Sequence, residues 1–321
     1  MRASQAAALA AARTSPRPAQ HTTAPVRATR AARLAFARDM ARLAVRSLHE
    51  ELCLYPKPGL VSPVDNGSHD DMDAATFMRS LFSLRHYFKK ICLAGWDDAP
   101  FAQLKLLGIA AEAAMLKATR GINTHRGAIF SLGMLCATAG RARAQGTPMT
   151  PAALRAAMLI RWGEELAMHA VPTTAPPTAA TAMPDAPPLS NGLRVAAQYA
   201  ASGAREEGAL GLPSVFEIGV PALLASRTRG ASMTHARIDT LFALMAHISD
   251  SNVYHRAGPQ GAQTVRSHAQ RFIDLGGTAN AGWRAEALES HRVFVDQRLS
   301  PGGAADLLAA SCLVHAIAAL K

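Results

Sequence analysis

The sequence predicts an all-α fold, and three observations support that prediction. Hydrophobic residues make up 49% of the chain but aromatic residues only 5%, and alanine is very abundant, a composition that favours helices packed through small side chains. Apolar residues recur every three to four positions through most of the sequence, which places them on one helix face. Strand patterns are absent, because short apolar runs such as residues 60–64 contain proline. We therefore expect one large helical domain with short connections.

The N-terminal 38 residues differ in composition from the rest of the chain. They contain seven arginines and no acidic residue, so they hold much of the formal net charge of +11. This composition predicts a disordered basic extension over residues 1–38, with a transit-peptide-like segment as the alternative. Because the helical domain predicted over residues 39–321 is only mildly basic, the charge alone does not indicate nucleic-acid binding.

Helical periodicity is clear from residues 76–93 onward. The same spacing predicts further helices at residues 103–117, 127–140, 152–169, 215–226, 238–248, 264–275 and 304–320. Residues 170–189 contain six prolines and predict a long Pro-rich loop within the same domain. The last helix is short and is interrupted by Asp306 and His315, so we predict no membrane span.

The four cysteines are widely spaced and form no Cys-x-x-Cys pair. They are Cys53, Cys92, Cys136 and Cys312, and all lie in apolar surroundings of helical character. We interpret them as buried, reduced thiols of a cytoplasmic protein, and neither as disulfide partners nor as zinc ligands.

The proline-containing loop YPKPGLVSPVDNGSHDDMD is the strongest candidate for a functional site. Its prolines restrict the backbone, and it ends in four possible metal ligands, His69, Asp70, Asp71 and Asp73. Three carboxylates so close together repel one another unless a cation or a proton offsets them. We therefore predict that the three aspartates hold Mg²⁺. The alternative is a helix start at which Ser68 and Asp71 form a capping box.

A second candidate is the segment GINTHRG, which precedes an apolar helix. Asn123 or Thr124 would cap this helix, leaving His125 and Arg126 in its first turn. Cations are unfavourable at a helix N-terminus, but basic side chains beside free backbone N–H groups form an anion site. We predict phosphate binding here, and the alternative is a plain N-cap with solvated basic groups.

A third candidate is the segment DSNVYHRAG, which contains Asp250, Asn252, His255 and Arg256. It follows an apolar helix and mixes an acid, an amide and two bases before a Gly-Pro turn. This combination suits a substrate site, whereas a helix C-cap with bases suited to that end is the alternative.

Two further segments carry isolated acids. Ser300 as N-cap, followed by proline, predicts a helix start, and Asp306 then lies within an apolar helix, where a carboxylate needs an arginine partner or a cation. Arg205, Glu206 and Glu207 precede a Gly-rich turn and form either a solvated charge cluster or part of a site. Phosphate-binding motifs such as GxGxxG and GxxxxGK[ST] are absent, so a nucleotide-binding protein with this sequence would be of a helical kind.

Six motifs occur in the order seen in one enzyme family, and the resemblance runs from about Ala41 to the C-terminus. They read PKPGLV, NGSHDDMD, GINTHRGAIFSLG, LPSVFEIGVPAL, DSNVYHR and LSPGGAADLLA. The chain thereby resembles triphosphoribosyl-dephospho-coenzyme A synthases. The strings LYPKPGLVS and RSLFSLRHYF are more similar to the malonate decarboxylase branch of that family than to the citrate lyase branch.

The resemblance implies a transferase that joins the triphosphoribosyl group of ATP to 3′-dephospho-coenzyme A and releases adenine, with Mg²⁺ as cofactor. The product would be the precursor of the prosthetic group on the carrier subunit of malonate decarboxylase, passed on by a holo-carrier-protein synthase. Neither nucleic acid nor membrane would be a partner. The transition state would resemble an oxocarbenium ion, as in other glycosyl transfers.

The motifs that match the family supply the candidate site residues. Catalytic candidates are Asp70, Asp71, Asp73, Glu206 and Asp250, of which the first three would also hold the metal. Candidates for substrate binding are Lys57, Ser68, His69, Asn123, His125, Arg126, Arg205, Asn252, His255, Arg256, Ser300 and Asp306. The family usually has a Thr-His-Gly step after the central loop, where this chain has Ser-Asn-Gly at residues 190–192.

Two other functions compete with this interpretation. His49, the His69–Asp70 pair and Asp250 could belong to a helical metal-dependent phosphohydrolase, which would release phosphate. Alternatively, the arginine-rich extension could make the chain an adaptor for nucleic acid or a carrier protein, with binding that weakens steeply as salt rises.

Overall fold

The computed structural model describes residues 29–170 and 203–320, and within these ranges it contains helices and no strands. The first five helices are α1 (Arg30–Leu52), α2 (Ala74–Trp96), α3 (Phe101–Ala118), α4 (Arg126–Gln145) and α5 (Pro151–Ala170). The later ones are α6 (Ala204–Ala209), α7 (Val220–Thr228), α8 (Met233–His247), α9 (Ser251–Asp274), α10 (Trp283–Asp296) and α11 (Gly302–Ala318). A π-helical segment, Ser214–Gly219, leads into α7, and a 3₁₀ turn, Gly277–Ala279, follows α9. The all-α prediction is confirmed.

Helix α1 begins at Arg30, inside the segment predicted as a basic extension. The Thr29 hydroxyl accepts a hydrogen bond from the Ala32 N–H and caps this helix. Residues 30–38 are therefore helical, and the predicted boundary at 38 is wrong by nine residues. Residues 1–28 and the Pro-rich segment 171–189 lie outside the described residues, as does the Ser-Asn-Gly step at 190–192.

Helices α2 and α4 cross at backbone contact, and glycines make that approach possible. A Cβ atom on Gly95 would lie 1.9 Å from the Ala137 carbonyl oxygen, and one on Gly140 would lie 2.1 Å from the Cys92 carbonyl oxygen. Larger residues at either position would force the two helices apart. The Tyr87 hydroxyl donates to the Ile129 carbonyl across the same interface, at 2.9 Å.

The remaining helices pack around α4 and α11, which are the most deeply buried helices. Helix α11 contacts α1, α4 and α8 and buries residues such as Leu308, Leu313 and Ile317 completely. None of the helices in residues 29–170 and 203–320 is both long and apolar enough to cross a bilayer.

The loop between α1 and α2 folds back onto the ends of α9, α10 and α11. The Ser68 hydroxyl donates to the Leu299 carbonyl at 2.6 Å, and Gly59 has a φ of +69° with no room for a Cβ beside that same carbonyl. The predicted capping box between Ser68 and Asp71 is therefore wrong. Asp73 caps α2 instead, because its carboxylate accepts from the Thr76 N–H at 2.7 Å.

Cysteine burial differs from the prediction at one position. Cys92, Cys136 and Cys312 are buried, as predicted, but Cys53 is exposed. Cys53 follows the last residue of α1, where the chain turns outward beside His49. All four thiols are free.

Candidate active site

A cavity of about 1260 Å³ opens where the α1–α2 loop meets the N-termini of α4, α9 and α11. Helices α3, α5 and α6 border its other end. The volume exceeds the 300–1,000 Å³ that is typical of small-molecule pockets, so the cavity can hold a ligand as large as a nucleotide. Most of the site residues predicted from sequence line it. They are Lys57, His69, Asp71, Asn123, His125, Arg126, Arg205, Glu206, Asp250, Asn252, His255, Arg256, Ser300 and Asp306.

The three aspartates predicted to hold a metal make different contacts in the structure. Asp70 is exposed and lies 3.5 Å from Arg298, and Asp73 is the N-cap of α2. Only Asp71 lines the cavity, with its carboxylate 3.6 Å from the His69 Nδ1. Across the described ranges, no three His, Cys, Asp or Glu side chains are grouped in a way that could hold a metal ion. Both Asp70 and Asp73 precede the first residue of α2.

Three buried or half-buried carboxylates lie at the inner wall, and sequence reasoning missed one of them, Glu51. Glu51 and Lys57 are almost fully buried, and the Lys57 ammonium donates to the Glu51 carboxylate at 2.5 Å. Asp306 lies against the start of α4, where a Cβ on Gly127 would be 2.2 Å from its Oδ2. Glu51 went unrecognised because it ends a helix whose burial depends on the loop that folds over it.

Two of these carboxylates, Asp306 and Asp250, bind protons more tightly than ordinary aspartates do. Burial, followed by the negative charges of Glu51 and Asp250, holds the pKa of Asp306 well above its usual range. Burial also raises the pKa of Asp250, although backbone N–H groups that bind its carboxylate oppose the shift. A carboxylate with a raised pKa is a stronger base than an ordinary one, which suits proton transfer near neutral pH.

Asp250 joins the starts of two helices. Its carboxylate accepts from the Asn252 N–H of α9 at 2.9 Å and from the Ala304 N–H of α11 at 3.1 Å. The alternative that this segment is a helix C-cap is therefore wrong, since Asp250 is the N-cap of α9. Ser300, predicted as the N-cap of the last helix, lies one residue before the actual cap at Pro301.

Arg256 is held by neutral acceptors. Its guanidinium donates to the Ser68 carbonyl at 2.9 Å and to the His69 Nδ1 at 3.0 Å. Since His69 Nδ1 accepts, its Nε2 carries the proton and donates to the Ser300 hydroxyl at 2.8 Å. Burial and the nearby Arg256 charge lower the pKa of His69, which keeps the imidazole neutral. Arg256 has no carboxylate within 4 Å among the described residues, so its charge is available to an anion.

The start of α4 is built differently from its prediction. The N-cap of α4 is His125, which has no side-chain cap, so the predicted cap by Asn123 or Thr124 is wrong. The Asn123 side chain, two residues earlier, accepts from the Arg126 N–H at 3.2 Å. Thr124 instead donates to the Ser80 hydroxyl of α2 at 2.7 Å. Arg126 is paired with Glu112 of α3. Ser80 gave no signal in the sequence, because its role depends on the approach of α2 to α4.

The far end of the cavity combines aromatic rings with cations. Phe101 and Phe130 flank the His169 ring, at centroid distances of 5.4 and 6.4 Å. Burial, followed by the nearby charges of Arg205 and Lys105, lowers the pKa of His169 to about 4. Neither cation forms an ion pair within the part of the chain that the structure describes.

Glu206 and Glu207 have structural contacts. Glu206 accepts from the Gly203 N–H at 2.8 Å and so stabilises the first turn of α6. Glu207 accepts from the Ser214 hydroxyl and holds α6 against the π-helical segment. Both line the cavity, but the contacts of Glu206 account for it without a catalytic role.

Residues 37–321 match the family model CitG, described as ATP:dephospho-CoA triphosphoribosyl transferase. The chain belongs to this family. A protein of Acinetobacter calcoaceticus named "Probable 2-(5''-triphosphoribosyl)-3'-dephosphocoenzyme-A synthase" is 38% identical over 83% of this chain and 86% of its own length. A protein of Pectobacterium atrosepticum with that name, without "Probable", is 36% identical over 86% of this chain and 88% of its own length. No solved structure is significantly similar to the chain.

Membership of the family bears on the competing interpretations. The phosphohydrolase alternative required His49, the His69–Asp70 pair and Asp250 to lie together, and of these only His69 and Asp250 line the cavity. His49 is exposed beside Cys53, and Asp70 is exposed beside Arg298, so neither lines the cavity that contains Asp250. The family match also lies outside most of the arginine-rich segment on which the adaptor alternative depended.

Proposed function

We propose that this chain transfers the triphosphoribosyl group of ATP to a ribose hydroxyl of 3′-dephospho-coenzyme A and releases adenine. Family membership supports this proposal. The observation that carries it in the structure is one cavity containing both an arginine available to anions, Arg256, and a half-buried carboxylate with a raised pKa, Asp306. Together these groups meet the two requirements of the reaction, which are phosphate binding and a base.

The reaction makes one bond and breaks one. The hydroxyl oxygen of dephospho-coenzyme A attacks the anomeric carbon of ATP, and the electron pair of the glycosidic C–N bond leaves with adenine. The hydroxyl proton passes to a carboxylate, for which Asp306 is the first candidate and Asp250 the second. The proton is returned to adenine, so the reaction is balanced. Nearby negative charge also favours the oxocarbenium-like transition state.

The polyphosphate would bind near the starts of α4 and α9. Helix N-termini favour anions, and Arg256, His255 and Arg126 line the cavity there. Mg²⁺ is usually held by one or two carboxylates together with substrate phosphates. Asp71 fits that requirement as a single exposed carboxylate at the rim, and the ion would neutralise charge on the triphosphate.

The second nucleotide would occupy the end of the cavity bordered by α3, α5 and α6. Dephospho-coenzyme A carries a diphosphate and a purine, and this end offers the cations Lys105 and Arg205 beside the rings of Phe130 and His169. Purines stack on aromatic rings, and diphosphates bind lysine and arginine. The two ends of the cavity therefore suit two nucleotides that meet between them.

We place the chain in the malonate decarboxylase branch of the family. The motifs LYPKPGLVS and RSLFSLRHYF support this assignment. The product would then become the prosthetic group of the decarboxylase carrier subunit. The test is to supply the reaction product, together with a holo-carrier-protein synthase, to carrier subunits of malonate decarboxylase and citrate lyase. Loading of the citrate lyase carrier alone would contradict the assignment.

Incubation of the chain with ATP, Mg²⁺ and dephospho-coenzyme A tests the main proposal. We expect free adenine and a product whose mass equals the two substrates less adenine, both dependent on dephospho-coenzyme A. Release of phosphate without adenine would contradict the transferase proposal and support a phosphohydrolase. The variant Asp306→Asn is the matched control, because it keeps the shape of the side chain but removes the base.

A further inference from the structure

His125 has one ring nitrogen engaged and the other buried without a partner. Its Nδ1 lies 2.6 Å from the Ser80 hydroxyl, while its Nε2 is buried and has no hydrogen-bond partner among the described residues. The side chain is only 2% exposed, yet it lines the cavity. Ser80 does not line the cavity, so the edge that carries Nε2 is the one directed toward it. A buried polar atom of this kind calls for a partner.

A short chain of hydroxyls fixes the tautomer of His125. The Thr124 hydroxyl donates to the Ser80 oxygen at 2.7 Å, which leaves the Ser80 proton to be donated to His125 Nδ1. Because Nδ1 then accepts, the ring proton lies on Nε2. The cavity is therefore presented with an N–H donor.

The surroundings of His125 keep it uncharged. The Phe77 ring meets it edge-on at a centroid distance of 5.0 Å, and its backbone N–H points to the Met115 sulfur. Burial, and secondarily the Lys57 charge, lower the pKa of His125 to about 3. His125 therefore presents a neutral ring to the cavity.

We propose that the His125 Nε2–H donates a hydrogen bond to a ring nitrogen of the purine that leaves ATP, N7 or N3. This inference rests on the proposed function. As the glycosidic bond breaks, its electron pair moves into the purine, and a donor to a ring nitrogen stabilises the charge that develops. His125 remains neutral and transfers no proton, and the proton that adenine finally gains comes from the attacking hydroxyl.

A purine is a better match for this donor than a phosphate. A phosphate carries full charge and is best bound by cations, which the cavity supplies through Arg256 and Arg126. A neutral donor beside Phe77 and Met115 suits an uncharged heterocycle whose charge rises only in the transition state. We therefore change the earlier prediction that His125 holds phosphate.

The test couples a protein change to a substrate change. The wild type and His125→Met are compared with ATP, 7-deaza-ATP and 3-deaza-ATP, each of the last two lacking one ring nitrogen acceptor. We expect His125→Met to lower kcat with ATP roughly 10- to 100-fold with little change in KM, since the bond strengthens in the transition state. With the analogue that lacks the ring nitrogen to which His125 donates, the wild-type enzyme has already lost this bond. The decrease in kcat caused by His125→Met should therefore be at least fivefold smaller than the decrease measured with ATP. Where an analogue is not turned over, its inhibition constant against ATP supplies the comparison.

Two controls separate this role from a structural one. His125→Gln can place an amide N–H near the Nε2 position and should retain more activity than His125→Met, while far-UV circular dichroism and the melting temperature show that both fold. Imidazole ¹⁵N NMR of the wild type should show the proton on Nε2, and Ser80→Ala should reduce that preference. Equal losses with all three nucleotides, or a rise in KM for ATP alone, would overturn the proposal. If the wild type released no adenine from ATP, the proposed function itself would fail.

Discussion

The Lys57 ammonium lies 2.5 Å from the Glu51 carboxylate, and both side chains are almost fully excluded from solvent. The pair joins the end of α1 to the α1–α2 loop, which borders the cavity. The negative charge of Glu51 also contributes to the raised pKa of Asp306. A buried pair of this kind contributes little net stability, but it is costly to break on one side only, because the remaining charge has no partner.

Replacement of Lys57 by methionine should therefore lower the free energy of unfolding by about 3 kcal/mol. The double variant Glu51→Gln/Lys57→Met should recover much of that loss, since no unpaired charge remains. Denaturant titrations of the wild type, both single variants and the double variant measure the coupling. Additive losses in the double variant would show that the two side chains do not depend on one another.

Replacement of Arg256 by glutamine should weaken ATP binding. A hydrogen bond to a charged group contributes about 1.5–3 kcal/mol, so KM for ATP should rise roughly 10- to 100-fold, with a smaller effect on KM for dephospho-coenzyme A. Arg271→Gln is the matched control, because Arg271 lies on the same helix but pairs with Glu286 outside the cavity. A selective rise in KM for dephospho-coenzyme A would reverse the assignment of the two nucleotides.

The three loop aspartates should behave differently from one another. Asp71→Asn should lower activity and raise the Mg²⁺ concentration needed for half-maximal rate, because Asp71 alone lines the cavity. Asp70→Asn should have little effect. Asp73→Ala should lower the melting temperature through loss of the α2 cap, while Asp73→Asn keeps the cap. Activity measured across a Mg²⁺ titration, together with melting temperatures, tests all three variants. Equal losses of activity in the three would support a single metal site formed by all three aspartates.

Asp306→Asn should be more stable than the wild type at neutral pH but nearly inactive. Because the fold raises the pKa of Asp306, the folded chain binds this proton more tightly than the unfolded chain. Stability therefore falls as pH rises from the ordinary carboxylate pKa to the raised one. The melting temperature of the variant should exceed that of the wild type at pH 7 and match it at about pH 4. A gain in stability that is independent of pH would contradict a raised pKa.

The activity of the wild type should fall on the acid side as Asp306 becomes protonated, because only the ionised carboxylate accepts the hydroxyl proton. The raised pKa places this decline at a higher pH than an ordinary aspartate would. A profile of kcat/KM against pH, with dephospho-coenzyme A varied at saturating ATP, locates it. A rate that stays constant down to the usual pKa of an aspartate would exclude Asp306 as the base.

Sequence reasoning predicted the fold class, and most of the site residues that it named line the cavity, because both leave local signals. Apolar residues spaced for a helix mark α2 and α4, and polar residues at helix starts mark the ends that surround the cavity. Helix α1 was not predicted, because its buried face includes alanines such as Ala37, Ala41 and Ala44. In a chain so rich in alanine, these residues give only a weak hydrophobic periodicity.

What could not be predicted depends on contacts between distant parts of the chain. Asp70 and Asp71 are neighbours of the same type, and only the anchoring of the loop on Leu299 and Arg256 decides which of them faces the cavity. The same holds for Ser80, which acquires a partner only when α4 brings His125 beside it.

The glycine crossing of α2 and α4 has a consequence for how the enzyme can move. The backbones of these two helices touch at Gly95 and Gly140, so no layer of side chains between them allows one helix to slide past the other. The two helices therefore form a rigid pair. Any closure of the cavity around bound nucleotides has to come from other lining elements, such as the six-residue helix α6, which carries Arg205. The rates of substrate binding and product release should accordingly respond to substitutions in α6 and not to motion of α2 against α4.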